Sequence, residues 1–132
     1  MPAVKKKPRL LLVDDEPDIL KMVGVRLEAS GYQVSGAADG VEGLQKARQE
    51  HPDLIILDLM LPKLSGYEVC RALKQDPKFC SIPIILFTAM AQEKDEKAGF
   101  AAGADAYVRK PFHSQELLAE IQRLLSSTEV FP

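Results

Sequence analysis

Apolar positions along this chain follow two rhythms. Leu10–Val13, Leu54–Leu57 and Ile84–Phe87 are short unbroken runs without polar alternation, the pattern of strands covered on both faces. Between them the period lengthens. Pro17 opens a helix with Ile19, Leu20, Val23 and Leu27 on one face, and Gly31 closes it. A second strand around Tyr32 to Ser35 leads into a helix that Asp39 caps, with Val41 and Leu44 turned inward. That helix stops before Pro52, because the residue preceding a proline avoids the helical region. Ser65 and Glu68 have the S-x-x-E spacing of a capping box ahead of Val69, Cys70 and Leu73, and Pro77 marks the end of this third helix. The fourth helix, Gln92 to Ala102, is the weakest. Its inward face is predicted to offer mainly Ala98, Ala101 and Ala102 with Phe100, which bury little area. Ala106 to Val108 makes a short last strand, and Leu117, Leu118, Ile121, Leu124 and Leu125 stripe the final helix.

Five β-then-α units with short connections predict an α/β fold, (βα)5: a doubly wound, flavodoxin-like, five-stranded parallel sheet sandwiched by five helices. A chain of 132 residues with 46% hydrophobic content suits one compact domain. It is expected to span residues 9–127, after a basic extension at 1–8 and before a tail at 128–132. The formal net charge of −2 sets up no field toward nucleic acid or anionic membrane, so the expected partner is another protein. Lys5, Lys6, Lys7 and Arg9 read as charges that keep a terminal strand soluble. The short run Leu10–Val13 is no signal-peptide core or membrane span, which places the protein in the cytoplasm. Cys70 and Cys80 lack any metal-binding spacing and read as reduced thiols.

Ligands of such sheets bind at the carboxyl ends of the strands. Those ends carry Asp14 and Asp15, Asp58, Thr88 and Lys110. Three clustered carboxylates repel one another unless a cation sits among them, and all-oxygen ligands favour Mg²⁺, with Mn²⁺ as the alternative. Lys110 and Thr88 add a positive charge and a hydroxyl that suit a phosphoryl group, and Asp58, ending the central strand, is the best-placed nucleophile.

The segments LLLVDDEPD, DLIILDLMLPKLSGYEV, IPIILFTA and GADAYVRKPF give the chain, from about Arg9 to Ser126, a strong likeness. It resembles the CheY-like receiver domain of bacterial two-component response regulators. The resemblance implies that Asp58 accepts phosphate from a sensor histidine kinase or phosphotransfer protein. It assigns Asp15, Asp58 and the Met60 carbonyl to the metal, with Asp14 acting through water. Thr88, Lys110 and the Ala89 N–H fall to the phosphoryl oxygens, and Lys110–Pro111 becomes a cis peptide. Tyr107 matches the family's switch aromatic, moving with Thr88. Gly66 matches a loop glycine expected to supply an unusual backbone angle. Such a domain is a signalling switch, not an enzyme in its own right.

Phosphate on Asp58 would draw Thr88 and Lys110 inward by charge-assisted bonds and bias the face built from the fourth helix, the last strand and the last helix, where a downstream protein target reads the signal. Ala98, Phe100, Tyr107 and Val108 are its candidate contacts, with Phe100 and Val108 alternatively core. Met60 and Met90 flank the site with side chains that cannot orient water, so phosphate loss is expected to be slow. His51 and His113 read as helix-end residues, not relays. Three rivals remain. A dehalogenase-like phosphatase wants a second acid where Met60 stands, and a flavodoxin-like electron carrier wants a phosphate loop where Asp14-Asp15-Glu16-Pro17 stands. The third is the receiver portion of a longer regulator with a DNA-binding or enzymatic output domain.

Overall fold

The structure, a computed structural model, describes residues 7–89, 92–110 and 114–128. Strands and helices alternate along them: β1 (Arg9–Val13), α1 (Pro17–Ala29), β2 (Gln33–Ala37), α2 (Gly40–Glu50), β3 (Leu54–Leu57), α3 (Gly66–Lys74), β4 (Ile84–Thr88), α4 (Glu93–Ala101), β5 (Ala106–Arg109) and α5 (Ser114–Thr128). The strands are all parallel in the order β2-β1-β3-β4-β5. This is the doubly wound sandwich that the apolar runs predict.

Period-two alternation explains why those runs contain no polar residue. β1 sends Leu10 and Leu12 to one face, against Val23 and Leu27 of α1 and Leu117 and Ile121 of α5. Leu11 and Val13 point the other way, into a core with Ala47 of α2 and Val69 and Leu73 of α3. Every residue of β3 is fully buried, and each such Leu or Ile contributes about 1.5–3 kcal/mol.

Local chemistry sets the helix ends. Pro17 occupies the first turn of α1. The Asp39 carboxylate accepts from Glu42 N–H at 2.8 Å to start α2. Both halves of the α3 capping box form: Glu68 N–H donates to Ser65 Oγ at 3.2 Å, and Ser65 N–H donates to the Glu68 carboxylate at 3.0 Å. His51 ends α2 in the left-handed region (φ 49). Its N–H bonds Ala47 O, and its ring lies 4.9 Å from that of Phe79, so it packs a helix end.

Two predicted inward faces are corrected. In α2 the buried positions are Gly40, Gly43 and Ala47; Val41 is exposed, while Leu44 is half-buried and packs against the core as expected. The helix rides so close to the sheet that a Cβ on Gly43 would stand 2.9 Å from Val13 Cγ1, and only small residues fit there. In α4, Asp95 and Gly99 are buried, with Ala102 just beyond, and Ala98, Phe100 and Ala101 are exposed. A Cβ on Gly99 would meet Leu86 Cδ1 at 2.6 Å, so the missing side chain decides which face turns in. Val108 is core and Phe100 is surface, which separates two residues the sequence left undecided. β2 lies later than Tyr32–Ser35, because pairing of Gly36 and Ala37 with Leu12 and Val13 outweighs their weak strand preference.

Cys70 and Cys80 are free thiols. Burial pushes the Cys70 thiol up to about 11. Among the described residues no helix is long and apolar enough to cross a membrane.

The three tyrosines, Tyr32, Tyr67 and Tyr107, all hold their protons more tightly than free phenol, chiefly through burial. Each raised value means that the folded chain keeps a proton which the unfolded chain sheds near pH ~10. Stability from these groups is complete below that pH and falls as pH climbs toward the folded values. Phenolate absorbance should therefore rise at higher pH in the native protein than in denaturant. Coincident titration curves would refute this.

Candidate functional site

Strand register decides which loops meet. Val13 pairs with Leu57, so the next residues, Asp14 and Asp58, leave the sheet side by side. They do so at the point where the connections from β1 and β3 diverge, the usual crevice of such sheets. On the far side Thr88 pairs with Arg109, and Lys110 N–H donates to Thr88 O at 2.8 Å. From there the Lys110 side chain reaches back across the crevice. Its Nζ lies 2.7 Å from Asp14 Oδ2, 2.9 Å from Asp58 Oδ2 and 3.5 Å from Glu16 Oε1. It also sits 5.2 Å from the centre of the Phe87 ring, within cation–π range.

Both aspartates use their second oxygen to hold their own loop. Asp14 Oδ1 accepts from Glu16 N–H at 2.9 Å, and Asp58 Oδ1 accepts from Met60 N–H at 3.2 Å. Asp14 is 1% exposed and Asp58 6%, so each carboxylate is nearly stripped of water. Burial raises the Asp14 carboxyl, and its bonds to Lys110 and Glu16 N–H only partly oppose that. Burial works to lower the Lys110 ammonium, but the hydrogen bonds and charges of Asp14 and Asp58 outweigh it and hold the proton on. One ammonium shared between two buried carboxylates is itself secured, while the burial of Asp14 is only partly offset.

Carboxylate oxygens of Asp14, Glu16 and Asp58 lie within 4.8 Å of one another. An all-oxygen, acid-rich set of that span can hold a hard divalent cation. Asp15 is exposed and stands outside that group. Glu16 is the member that sequence reasoning passed over. The available signal was the turn an aspartate makes with the N–H two residues on, which folds Glu16 back over the strand end as Pro17 starts the helix. Thr88 is buried at the end of β4 and Ala89 follows it, exposed, while the Met60 side chain is 66% exposed. Tyr107 is half-buried on β5, its phenol pushed up to about 12 by burial and by the neighbouring Tyr67 and Asp95. Met90, Pro111 and His113 lie outside the described residues, as do Lys5 and Lys6.

Gly66 serves the site differently from the expectation. Its backbone angle is ordinary, and the left-handed residue of this loop is Lys63, at φ 70. What requires glycine is approach: Gly66 N–H bonds Leu59 O at 2.9 Å, and a Cβ would stand 2.2 Å from Asp58 O.

Fold and crevice together define a doubly wound α/β domain with an acidic, lysine-bridged pocket at the carboxyl edge of its sheet. The chain belongs to the response regulator receiver domain family, whose sequence profile matches residues 10–122. It is 46% identical to the DNA-binding dual master transcriptional regulator RpaA of Synechocystis over 95% of this chain and 52% of that one. It is 45% identical to the alkaline phosphatase synthesis transcriptional regulatory protein PhoP of Bacillus subtilis over 92% of this chain and 50% of that one. The chain thus spans about half the length of these curated relatives. Among solved structures it superposes on the chemotaxis response regulator CheY4 of Vibrio cholerae with TM-score 0.84, at 35% identity, covering 89% of this chain and 98% of that one. The receiver domain of the sensor histidine kinase PA1611 from Pseudomonas aeruginosa matches with TM-score 0.85, at 32% identity, covering 91% and 98%. That structure has a magnesium ion coordinated in its active-site cleft. The chain is accordingly a receiver domain of two-component signal transduction.

Proposed function

We propose that Asp58 is the phosphoacceptor, taking a phosphoryl group from a histidine kinase or phosphotransfer protein in a Mg²⁺-dependent reaction and presenting the change to a downstream protein. The observation that carries this reading is Lys110 Nζ bridging Asp14 and Asp58 at 2.7 and 2.9 Å in a crevice at the ends of β1, β3 and β5. An Asp58 oxygen attacks phosphorus, the bond from phosphorus to the donor breaks, and the donor's imidazole departs with that electron pair. Lys110 is already aimed at the acceptor, so it meets the phosphoryl oxygens without reorganising. Thr88 and the Ala89 N–H close the other side. Mg²⁺, held by Asp58 with Asp14, Asp15 or Glu16 and the Met60 carbonyl, supplies charge neutralisation when bound. The face of α4, β5 and α5 then presents the altered surface. A regulator twice this length with a DNA-binding output, as RpaA is described, would use the same chemistry and read the switch within its own chain.

Adding Mg²⁺ is expected to raise the unfolding free energy of the wild-type protein, read by urea titration, by about 2.7 kcal/mol once the ion exceeds its dissociation constant a hundredfold. In Asp14→Asn the metal-free protein should be more stable than wild type, since a buried carboxylate held above its usual range is removed, and the Mg²⁺ increment should shrink. An undiminished increment would remove Asp14 from the ion's surroundings. For phosphate loss, the half-life of the phosphoprotein is expected to exceed that of a Met60→Asn/Met90→Glu variant. A shorter wild-type half-life would show that the methionines do not slow hydrolysis.

A further inference from the structure

Among the described residues, α4 brings few groups to the core. Its buried residues are Asp95 and Gly99, neither of which brings an apolar side chain to the core. The Arg109–Glu96 ion pair at 3.1 Å is exposed, and such pairs contribute little. The Tyr67 hydroxyl, in contrast, donates at 3.1 Å to the backbone carbonyl of Asp95, joining the first turns of α3 and α4 from a half-buried position. Tyr67 is also tied to the site. It follows Gly66, which presses on the Asp58 backbone and bonds Leu59 O. One residue therefore links the end of β3 to the helix that follows β4, beside the Tyr107 ring, which packs on Gly99.

We propose that Tyr67 is a positioning residue: its hydroxyl latches α4 to α3 in the unphosphorylated domain, is released when α4 shifts, and thereby sets how readily Asp58 is phosphorylated. This rests on the reading of Asp58 as phosphoacceptor. A bond made in one state and lost in the other biases the equilibrium by its full worth, and a neutral hydrogen bond corresponds to about fivefold. Tyr67→Phe keeps the ring and removes only the hydroxyl.

Two measurements on the full chain decide the matter. In amide hydrogen exchange without phosphate donor, Tyr67→Phe is expected to exchange its α4 amides about fivefold faster, with β3 and β4 unchanged. With acetyl phosphate and Mg²⁺ it should also gain phosphate about fivefold faster than wild type. Unchanged α4 exchange overturns the latch. Faster exchange with an unchanged or slower phosphorylation rate, in a protein whose wild type is modified at Asp58, overturns the positioning role and leaves only a structural tie. If wild type takes up no phosphate, the phosphoacceptor reading fails and the rate-setting role falls with it, a result the exchange data register separately.

Discussion

Asp58→Asn is expected to abolish uptake of phosphate from acetyl phosphate and Mg²⁺, a loss of at least about a thousandfold, because the amide oxygen is no nucleophile toward phosphorus. Intact mass after incubation reads the result directly: wild type gains one phosphoryl group and the variant none. The variant should stay folded, since Lys110 retains Asp14 at 2.7 Å and the asparagine oxygen can still accept from Met60 N–H. A phosphate adduct on both proteins would remove Asp58 from its assigned role. Lys110→Ala is a useful companion. It strips the shared cation from two buried carboxylates, so it should weaken phosphorylation while also making the fold more dependent on Mg²⁺.

Gly66→Ala should cost about 3 kcal/mol, at the upper end of overpacking penalties, because the new methyl would lie 2.2 Å from the Asp58 carbonyl oxygen and 2.7 Å from Leu59 Cα. Neither contact is the end of a flexible side chain, so β3 and α3 must separate. Gly24→Ala is the control. There a Cβ meets nothing nearer than Val34 Cγ1 at 3.9 Å, and alanine in a helix interior should gain about 1 kcal/mol. Urea unfolding measures both. A Gly66→Ala loss under about 1 kcal/mol would mean that the loop yields, and that the close approach is not what demands glycine. Since the contact falls on the backbone of Asp58 itself, the same variant should also phosphorylate poorly even where it is folded.

Much of this was readable in the chain. The runs Leu54–Leu57 and Ile84–Phe87 mark strands because a sheet covered twice leaves no place for a polar side chain. The starts at Pro17, Asp39 and Ser65 are visible because a cap is chemistry between residues a few positions apart. What escaped was which face a helix turns inward when its neighbours are small. In α2 and α4, Gly43 and Gly99 face Val13 and Leu86 of the sheet with no room for a Cβ, and hydrophobic periodicity is blind to a residue whose importance is the absence of a side chain.

The site divides the same way. That acids, a threonine and a lysine end the strands follows from the order of residues, because parallel strands joined by helices all deliver their carboxyl ends to one edge. The pairing of Val13 with Leu57, which sets Asp14 beside Asp58, and the reach of Lys110 to both are products of tertiary register. So are the recruitment of Glu16 by a turn at Asp14 and the hydroxyl of Tyr67 on the Asp95 carbonyl, a contact between residues 28 positions apart. Local sequence determines what each strand end carries, since caps and runs act over a few residues. Which ends touch is decided only when the sheet closes, because those distances depend on every strand and helix packing at once.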